Sequence, residues 1–314
     1  MSGHIPVLLQ EIVDAIAPVK GDIVVDGTFG GGGYTKAILD TANCRVLAID
    51  RDPDAIERGK ALSERMDNRL TMLEGCYGDM AALVNQKVNA VVLDIGVSSF
   101  QIDEGGRGFS FRENGPLDMR MSQSGESAAD VVNTYVEKDL ADIIYKYGEE
   151  RRSRQVAHAI VEARKENDIT TTGQLARIIR SVVWPAKDKI DPATRTFQGL
   201  RIYVNDELGE LERGLQAAED ILLPGGRLVI VTFHSLEDRM VKKFFKERSG
   251  SMARGNRYLP DDQQTGPEGT FTIINRRATA PGEEELSANP RSRSSKLRAG
   301  LRTNAPSWAN GASS

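Results

Sequence analysis

Four carboxylates stand at the ends of short apolar runs in the first third of the 314-residue chain: Asp26 closes IVVD, Asp50 closes RVLAID, Glu74 closes LTMLE and Asp94 closes AVVLD. Directly after the first of them the chain reads GTFGGGGYT, with consecutive glycines from Gly30 to Gly33. A backbone that bare, following a strand, lets a ligand approach the head of the next helix, where unpaired N–H groups point outward. A dinucleotide site would ask for G-x-G-x-x-G with a pyrophosphate on the helix N-terminus. Asp26 argues against that occupant, because it would repel a pyrophosphate and suits a ligand with a cationic amino group. Asp50 follows Asp26 by 24 residues, about where an acid takes both ribose hydroxyls of a nucleoside. Together these features fit S-adenosylmethionine better than NAD. The plainer alternative is that acids after strands cap the next helix, which suits Asp52 or Asp79 better than Asp50. Tyr77, just past the third run, is placed to stack on adenine, with ordinary packing as its alternative; its neighbour Cys76 reads as a buried spectator thiol.

The segment VVLDIGVSSFQ, residues 91 to 101, narrows the chemistry further. It has no cysteine, which argues against methylation of cytosine at C5 through a covalent thiol adduct. Methylation of an exocyclic amine needs no covalent intermediate. It needs nitrogen, methyl carbon and sulfur in line, and an acceptor whose hydrogen bond strengthens as positive charge develops on nitrogen. Amino-directed DNA methyltransferases usually carry Asp/Asn/Ser-Pro-Pro-aromatic at this place, whereas here Asp94 begins the segment but glycine, valine and serine replace the prolines and the aromatic ring. Asp94 is therefore read first as a cofactor ligand and second as the catalytic acceptor for the amine. His234 and Ser235, in FHSLEDR, are candidates for lining the base pocket; the alternative is that Ser235 caps a helix and His234 packs.

The elements that must hold these groups alternate. Strands are expected at 23–26, 45–50, 70–74, 90–94 and 227–231, with helical patterns between them, and strands that read as unbroken apolar runs indicate a parallel sheet covered on both faces. The fold class is thus α/β: a doubly wound, Rossmann-like methyltransferase domain. Between its halves lie a glycine-rich stretch from 103 to 127 and then helical patterns only, including one from Gln174 and one opened by Asp191-Pro192. The expected division is a discontinuous methyltransferase domain, 1–106 and 208–314, and an inserted all-helical domain, 107–207, for substrate recognition. The long loop carries Arg107, Phe109, Phe111, Arg112 and Arg120, types suited to stacking on a splayed base and contacting phosphates, and it leaves the sheet beside Asp94. Residues 249–269 read as mobile, 270–274 as a last strand, and Arg291 to Arg302, with five positive charges and no negative ones, as a phosphate-contacting tail.

Composition excludes several classes. Hydrophobic residues make up 39% and charged residues 27%, and no apolar run reaches the roughly 18 residues of a membrane span. The N-terminus shows no signal-peptide core, so a cytoplasmic protein without a membrane partner is expected. Cys44 and Cys76 share no metal-ligand spacing with each other or with His4, His158 and His234, so neither structural zinc nor a disulfide framework is expected. The net charge of −4 conceals an asymmetry: residues 1–105 hold 9 basic against 16 acidic side chains, residues 140–205 hold 12 against 8, and residues 276–314 hold 7 against 3. The split suggests a cofactor half and a polyanion-facing half, with solvated helix faces as the plain alternative.

In order along the chain, HIPVLLQE, VVDGTFGGGGYT, AIDRDP, DIGVSS, RGFSF, GPLDMRM, YGEER, PATRTFQ, FHSLEDR and NPRSRSSKLR resemble the ribosomal RNA small subunit methyltransferase H family, from about residue 4 to residue 303. The resemblance implies N4-methylation of cytidine 1402 in 16S rRNA, with S-adenosylmethionine as donor and the small ribosomal subunit as partner. A homodimer is left open. It also implies cofactor contacts at Gly32, Gly33, Tyr34, Asp50, Tyr77, Asp94 and Gln101. Tyr34 replaces the histidine of the family's Gly-Gly-His, which favours a backbone contact over a side-chain one, and Gln101 rests on the resemblance alone. Other readings of the residues remain: a cofactor-binding rRNA assembly factor that transfers nothing, and a nicotinamide-dependent dehydrogenase, which Asp26 disfavours.

Overall fold

The computed structural model describes residues 6–184, 190–250 and 267–308. In chain order the first elements are α1 (Leu9–Ile16), β1 (Ile23–Asp26), α2 (Gly33–Thr41), β2 (Arg45–Asp50), α3 (Pro53–Ser63), β3 (Leu70–Glu74), α4 (Met80–Val84) and β4 (Val88–Asp94). Helices follow: α5 (Ser99–Asp103), α6 (Ala128–Thr134), α7 (Glu137–Gly148), α8 (Ser153–Arg164), α9 (Thr172–Val182), α10 (Ala193–Val204) and α11 (Glu207–Ile221). The chain then forms β5 (Leu222–Thr232), α12 (Ser235–Arg248), β6 (Phe271–Ile273), α13 (Glu283–Ala288) and β7 (Lys296–Arg302).

The strands form one sheet in the order β3-β2-β1-β4-β5-β7-β6. β1 to β5 are parallel, β7 runs antiparallel to β5, and β6 runs antiparallel to β7. Period-two alternation explains why the central strands are apolar throughout, since successive side chains enter cores on opposite faces. Val25, Val91 and Leu93 join the core with Leu215, Val241 and Phe245, whereas Val24, Ala90 and Val92 join the one with Ile12, Ile38 and Leu39. The order of strands reverses between β1 and β4. In doubly wound sheets that reversal opens a crevice outside the carboxyl ends of the strands, so Asp26 and Asp94 stand at its two sides.

The chain divides into two compact units, Met1–Gly96 with Gly209–Ser314, and Val97–Leu208. The helical unit thus begins at Val97 rather than at 107, because α5 and the glycine-rich stretch pack within it. That stretch is ordered. Leu117 and Met119 are buried in the helical core. The Leu117 N–H donates to the Thr170 carbonyl (2.9 Å) and Thr172 N–H to the Gly115 carbonyl (2.9 Å). Asn205 closes the turn by donating to the Met119 carbonyl (2.7 Å) and accepting from Met121 N–H (2.8 Å). Phe111, expected to await a nucleobase, packs edge-on against Phe197 at 4.8 Å between centroids. Arg120 is held by Asp118 through a 2.5 Å ion pair and Arg107 donates to the Arg120 and Met121 carbonyls.

The expected phosphate-contacting tail, Arg291 to Arg302, is corrected over its second half, while Arg291 and Arg293 are exposed. Residues 296–302 form β7, where Leu297 and Ala299 face a core, and Lys296 and Arg298 pair with Asp238 at 3.1 and 2.8 Å. Arg302 is buried and donates to the carbonyls of Glu219, Thr270, Thr303 and Ala305. The segment expected to be mobile, 249–269, lies mostly outside the described residues. No helix among the described residues is long and apolar enough to cross a membrane.

Candidate active site

Asp26 ends β1 and is fully buried, with both oxygens engaged on the turn that follows. Oδ1 accepts from Thr28 N–H at 3.2 Å and Oδ2 from the Thr35 hydroxyl at 2.7 Å. Burial pushes its pKa up to about 6, and the hydrogen bonds from Thr35 and Thr28 hold it from rising further. The acid therefore ties the start of the glycine turn to the first turn of α2. Asp50, at the end of β2, does the same from the neighbouring strand: its Oδ2 accepts from Gly30 N–H at 2.8 Å and its Oδ1 from Asp52 N–H at 2.9 Å. Asp26 is closed off by its burial, whereas Asp50 is partly open and keeps acceptor capacity for a ligand donor.

Two of the glycines are required by geometry. Gly32, the N-cap of α2, has φ +75°, and a Cβ there would come within 2.7 Å of the Phe29 ring. At Gly33 a Cβ would meet the Pro6 ring at 2.3 Å. Pro6 and Val7 are thus drawn against the turn, and the buried Tyr34 hydroxyl fixes them by donating to the Val7 carbonyl at 2.6 Å.

Asp94 ends β4 on the far side of the reversal, and its N–H donates to the Thr28 hydroxyl at 2.7 Å. Its carboxyl differs from those of Asp26 and Asp50. The residue is partly open, yet Oδ1 is shut off from solvent and has no hydrogen-bond partner. Burial pushes its pKa up to about 8, the charges on Asp26 and Glu237 push the same way, and the nearby Tyr34 hydroxyl, whose single proton goes to Val7, offsets only part of this. An unsatisfied buried acceptor costs about 1–3 kcal/mol, so Oδ1 calls for a donor, whether its own proton or a ligand's N–H.

A model of the MraW methylase family matches residues 1–302. The chain belongs to this family. It is 58% identical over 309 residues to the ribosomal RNA small subunit methyltransferase H of Paramagnetospirillum magneticum, covering 97% of each chain. It is 53% identical to the protein of the same description from Rhodospirillum rubrum, over 98% of this chain and 97% of that one. A third relative so described, from Rhodospirillum centenum, is 58% identical over 307 residues, covering 96% and 93%.

The remaining candidate residues are placed by their elements. Tyr77 lies in a single turn after β3, with its Cβ 3.2 Å from where a Cβ on Gly27 would stand, so it reaches the end of β1. Its ring is buried against α11, where a Cβ on Gly214 would approach it to 2.5 Å. The Tyr77 N–H donates to Oε1 of Glu210 (3.0 Å), whose Oε2 takes Arg51 at 2.5 Å. Glu210 was not singled out by the sequence, because it lies in an ordinary helical stripe and its partners are more than a hundred residues away. Gln101 belongs to the helical unit. Its amide oxygen accepts from Ser98 N–H at 3.0 Å in the capping box of α5.

The cap of α12 is His234, not Ser235. Its Nδ1 accepts from Glu237 N–H at 3.5 Å, while Oε2 of the fully buried Glu237 accepts from Phe233 and His234 N–H at 2.8 and 3.2 Å. Nε2 of His234 lies 2.9 Å from Oε1 of Glu237. The spacing His-x-x-Glu carries the capping-box signal once histidine is admitted at the cap.

Proposed function

We propose that this methylase transfers the methyl group of S-adenosylmethionine to the N4 amine of a cytidine in small-subunit ribosomal RNA, cytidine 1402 of 16S rRNA in the family that the sequence resembles. The observation that carries the reading is the Asp94 carboxyl, whose Oδ1 is shut off from solvent and partnerless at the strand reversal, across from the glycine turn that follows β1. Family membership supports methyl transfer, and the relatives' descriptions support ribosomal RNA as the acceptor.

The residues fit this donor. Asp50 retains lone pairs for ribose hydroxyls, and the turn from Gly30 to Tyr34 presents backbone where side chains would collide with Phe29 and Pro6. Asp94 offers an oxygen in need of a donor, within a group of carboxyls that favours a cation. When bound, the donor supplies an electrophilic methyl on a positively charged sulfur. The protein's part is positional and electrostatic. An opposite charge beside Asp94 favours its ionised form. Ionised, Asp94 can accept an N4–H of the base, drawing the nitrogen lone pair out of conjugation with the ring and gaining strength as the nitrogen becomes positive. Gln101 and Tyr77 complete the cofactor contacts carried over from the family, and the helical unit, 97–208, is assigned to RNA recognition.

The direct test incubates purified protein with methyl-labelled donor and immature small subunits, then digests the RNA to nucleosides. Label in N4-methylated cytidine is expected. Label in any other nucleoside overturns the base assignment, and donor binding without transfer would indicate an assembly factor.

A further inference from the structure

We propose that one end of the helical unit is an RNA-docking surface, formed by Trp184 and Tyr145 around the arginines that open α8. This rests on the RNA-methylating reading above. Trp184 is 73% exposed and Tyr145 64%. Single exposed apolar side chains are ordinary, but these two belong to one neighbourhood. Tyr145 is on the last turn of α7, where its carbonyl accepts from Glu149 N–H at 3.1 Å in the turn leading to α8. From that turn Arg152 reaches across with Nη1 to the carbonyl of Val182 (3.2 Å), the last residue of α9 and two positions before Trp184.

Positive charge is in excess in this turn. Arg151, Arg152 and Arg154 are all exposed, and among the described residues no acceptor engages the guanidinium of Arg151 or Arg154. The first turn of α8 holds no acid, so the partial positive charge of the helix start adds to the arginines. Glu150 is buried, with Oε1 on Arg152 N–H at 2.8 Å, which leaves Glu149 as the exposed acid of the turn.

Flat aromatic faces beside unpaired guanidiniums suit single-stranded RNA, with bases stacked on the rings and phosphates on the arginines. A protein partner would favour a contiguous apolar centre with its charges at the rim, whereas here the two exposed rings are linked through the arginine-bearing turn, Arg152 of which reaches the Val182 carbonyl.

The chain has two tryptophans, so Trp308→Phe leaves Trp184 as the sole indole emitter. In that background, titration with a protein-free rRNA fragment containing the target cytidine should quench Trp184 emission. Trp184→Ala should weaken binding of the fragment by about five- to a hundredfold. Arg151→Ala with Arg154→Ala should flatten the slope of log K against log salt by up to about 1.4, at about 0.7 for each phosphate no longer neutralised. Affinity for S-adenosylhomocysteine should stay at the parent value, which reports an intact sheet unit. Trp184 already shielded from acrylamide before RNA is added, or unchanged RNA affinity and salt slope, would overturn the proposal. So would a loss seen with assembled particles but not with the fragment, which would point to a ribosomal protein. Quenching by RNA that is then methylated at another nucleoside supports the surface while refuting the N4 assignment, so the two readings fail separately.

Discussion

The Gly30 amide donates a 2.8 Å hydrogen bond to Oδ2 of Asp50, fastening the turn after β1 to the end of β2. One carboxylate therefore shapes the turn and keeps lone pairs for ribose. Asp50→Ala should weaken S-adenosylhomocysteine binding by about 1–3 kcal/mol, measured by calorimetry. Asp50→Asn should lose less, because the amide oxygen can still accept the Gly30 N–H. An unchanged dissociation constant in the alanine variant would remove Asp50 from the site.

Binding of the donor should expel a proton. Asp94 holds its proton up to about 8 in the free protein, and a cation alongside favours the ionised form. S-adenosylmethionine should therefore release protons at pH 7, and S-adenosylhomocysteine, whose sulfur is neutral, should release fewer. Titrations in buffers of different ionisation enthalpy read the difference, and equal release would separate Asp94 from the sulfur.

The same carboxyl makes free-protein stability fall with rising pH. Its pKa rises from 3.8 in the unfolded chain to about 8 in the fold, so the native state holds an extra proton between those values. That contribution is fully present in acid and is lost as pH rises through the folded value. Asp94→Asn should accordingly gain thermal stability on the parent as pH increases from about 5 to about 8.5. A difference in Tm that stays flat over this range would contradict the assignment.

Gly32→Ala combines a left-handed backbone angle, φ +75°, with a clash at 2.7 Å from the Phe29 ring. It should cost about 1–3 kcal/mol in denaturant unfolding and also weaken donor binding, because relief of the clash moves the turn. Full donor affinity in this variant would show that the turn is not part of the binding wall.

Arg302→Ala strips four carbonyls of a buried donor and should cost about 2–4 kcal/mol in stability. The salt dependence of RNA binding should stay as in the parent. A flattened salt slope would return Arg302 to the phosphate-contacting role that the basic tail suggests.

Strands β1, β2 and β4 were legible because each is an apolar run closed by an acid, a pattern that depends only on neighbours in the chain. β7 was not, since KLRAGLR shows its charges more plainly than the alternation that buries Leu297 and Ala299. The same limit applies to Phe111 and Glu210: their partners, Phe197 and Arg51, are supplied by tertiary structure. Asp26, Asp50 and Asp94 were found together by sequence, but not that two of them brace the turn while Oδ1 of the third is left without a partner. His234 was misassigned because serine is the commoner cap and stood next to it.

The place of β7 between β5 and β6 has a consequence for biosynthesis. β5 finishes at Thr232, but the strand that covers its outer edge is translated only from Lys296 onward. During that interval a nascent chain presents the row Leu228 to Val231 as an open edge, able to pair with any extended segment it meets. Nascent copies crowded on a polysome are accordingly exposed to mispairing until the last of their strands arrives.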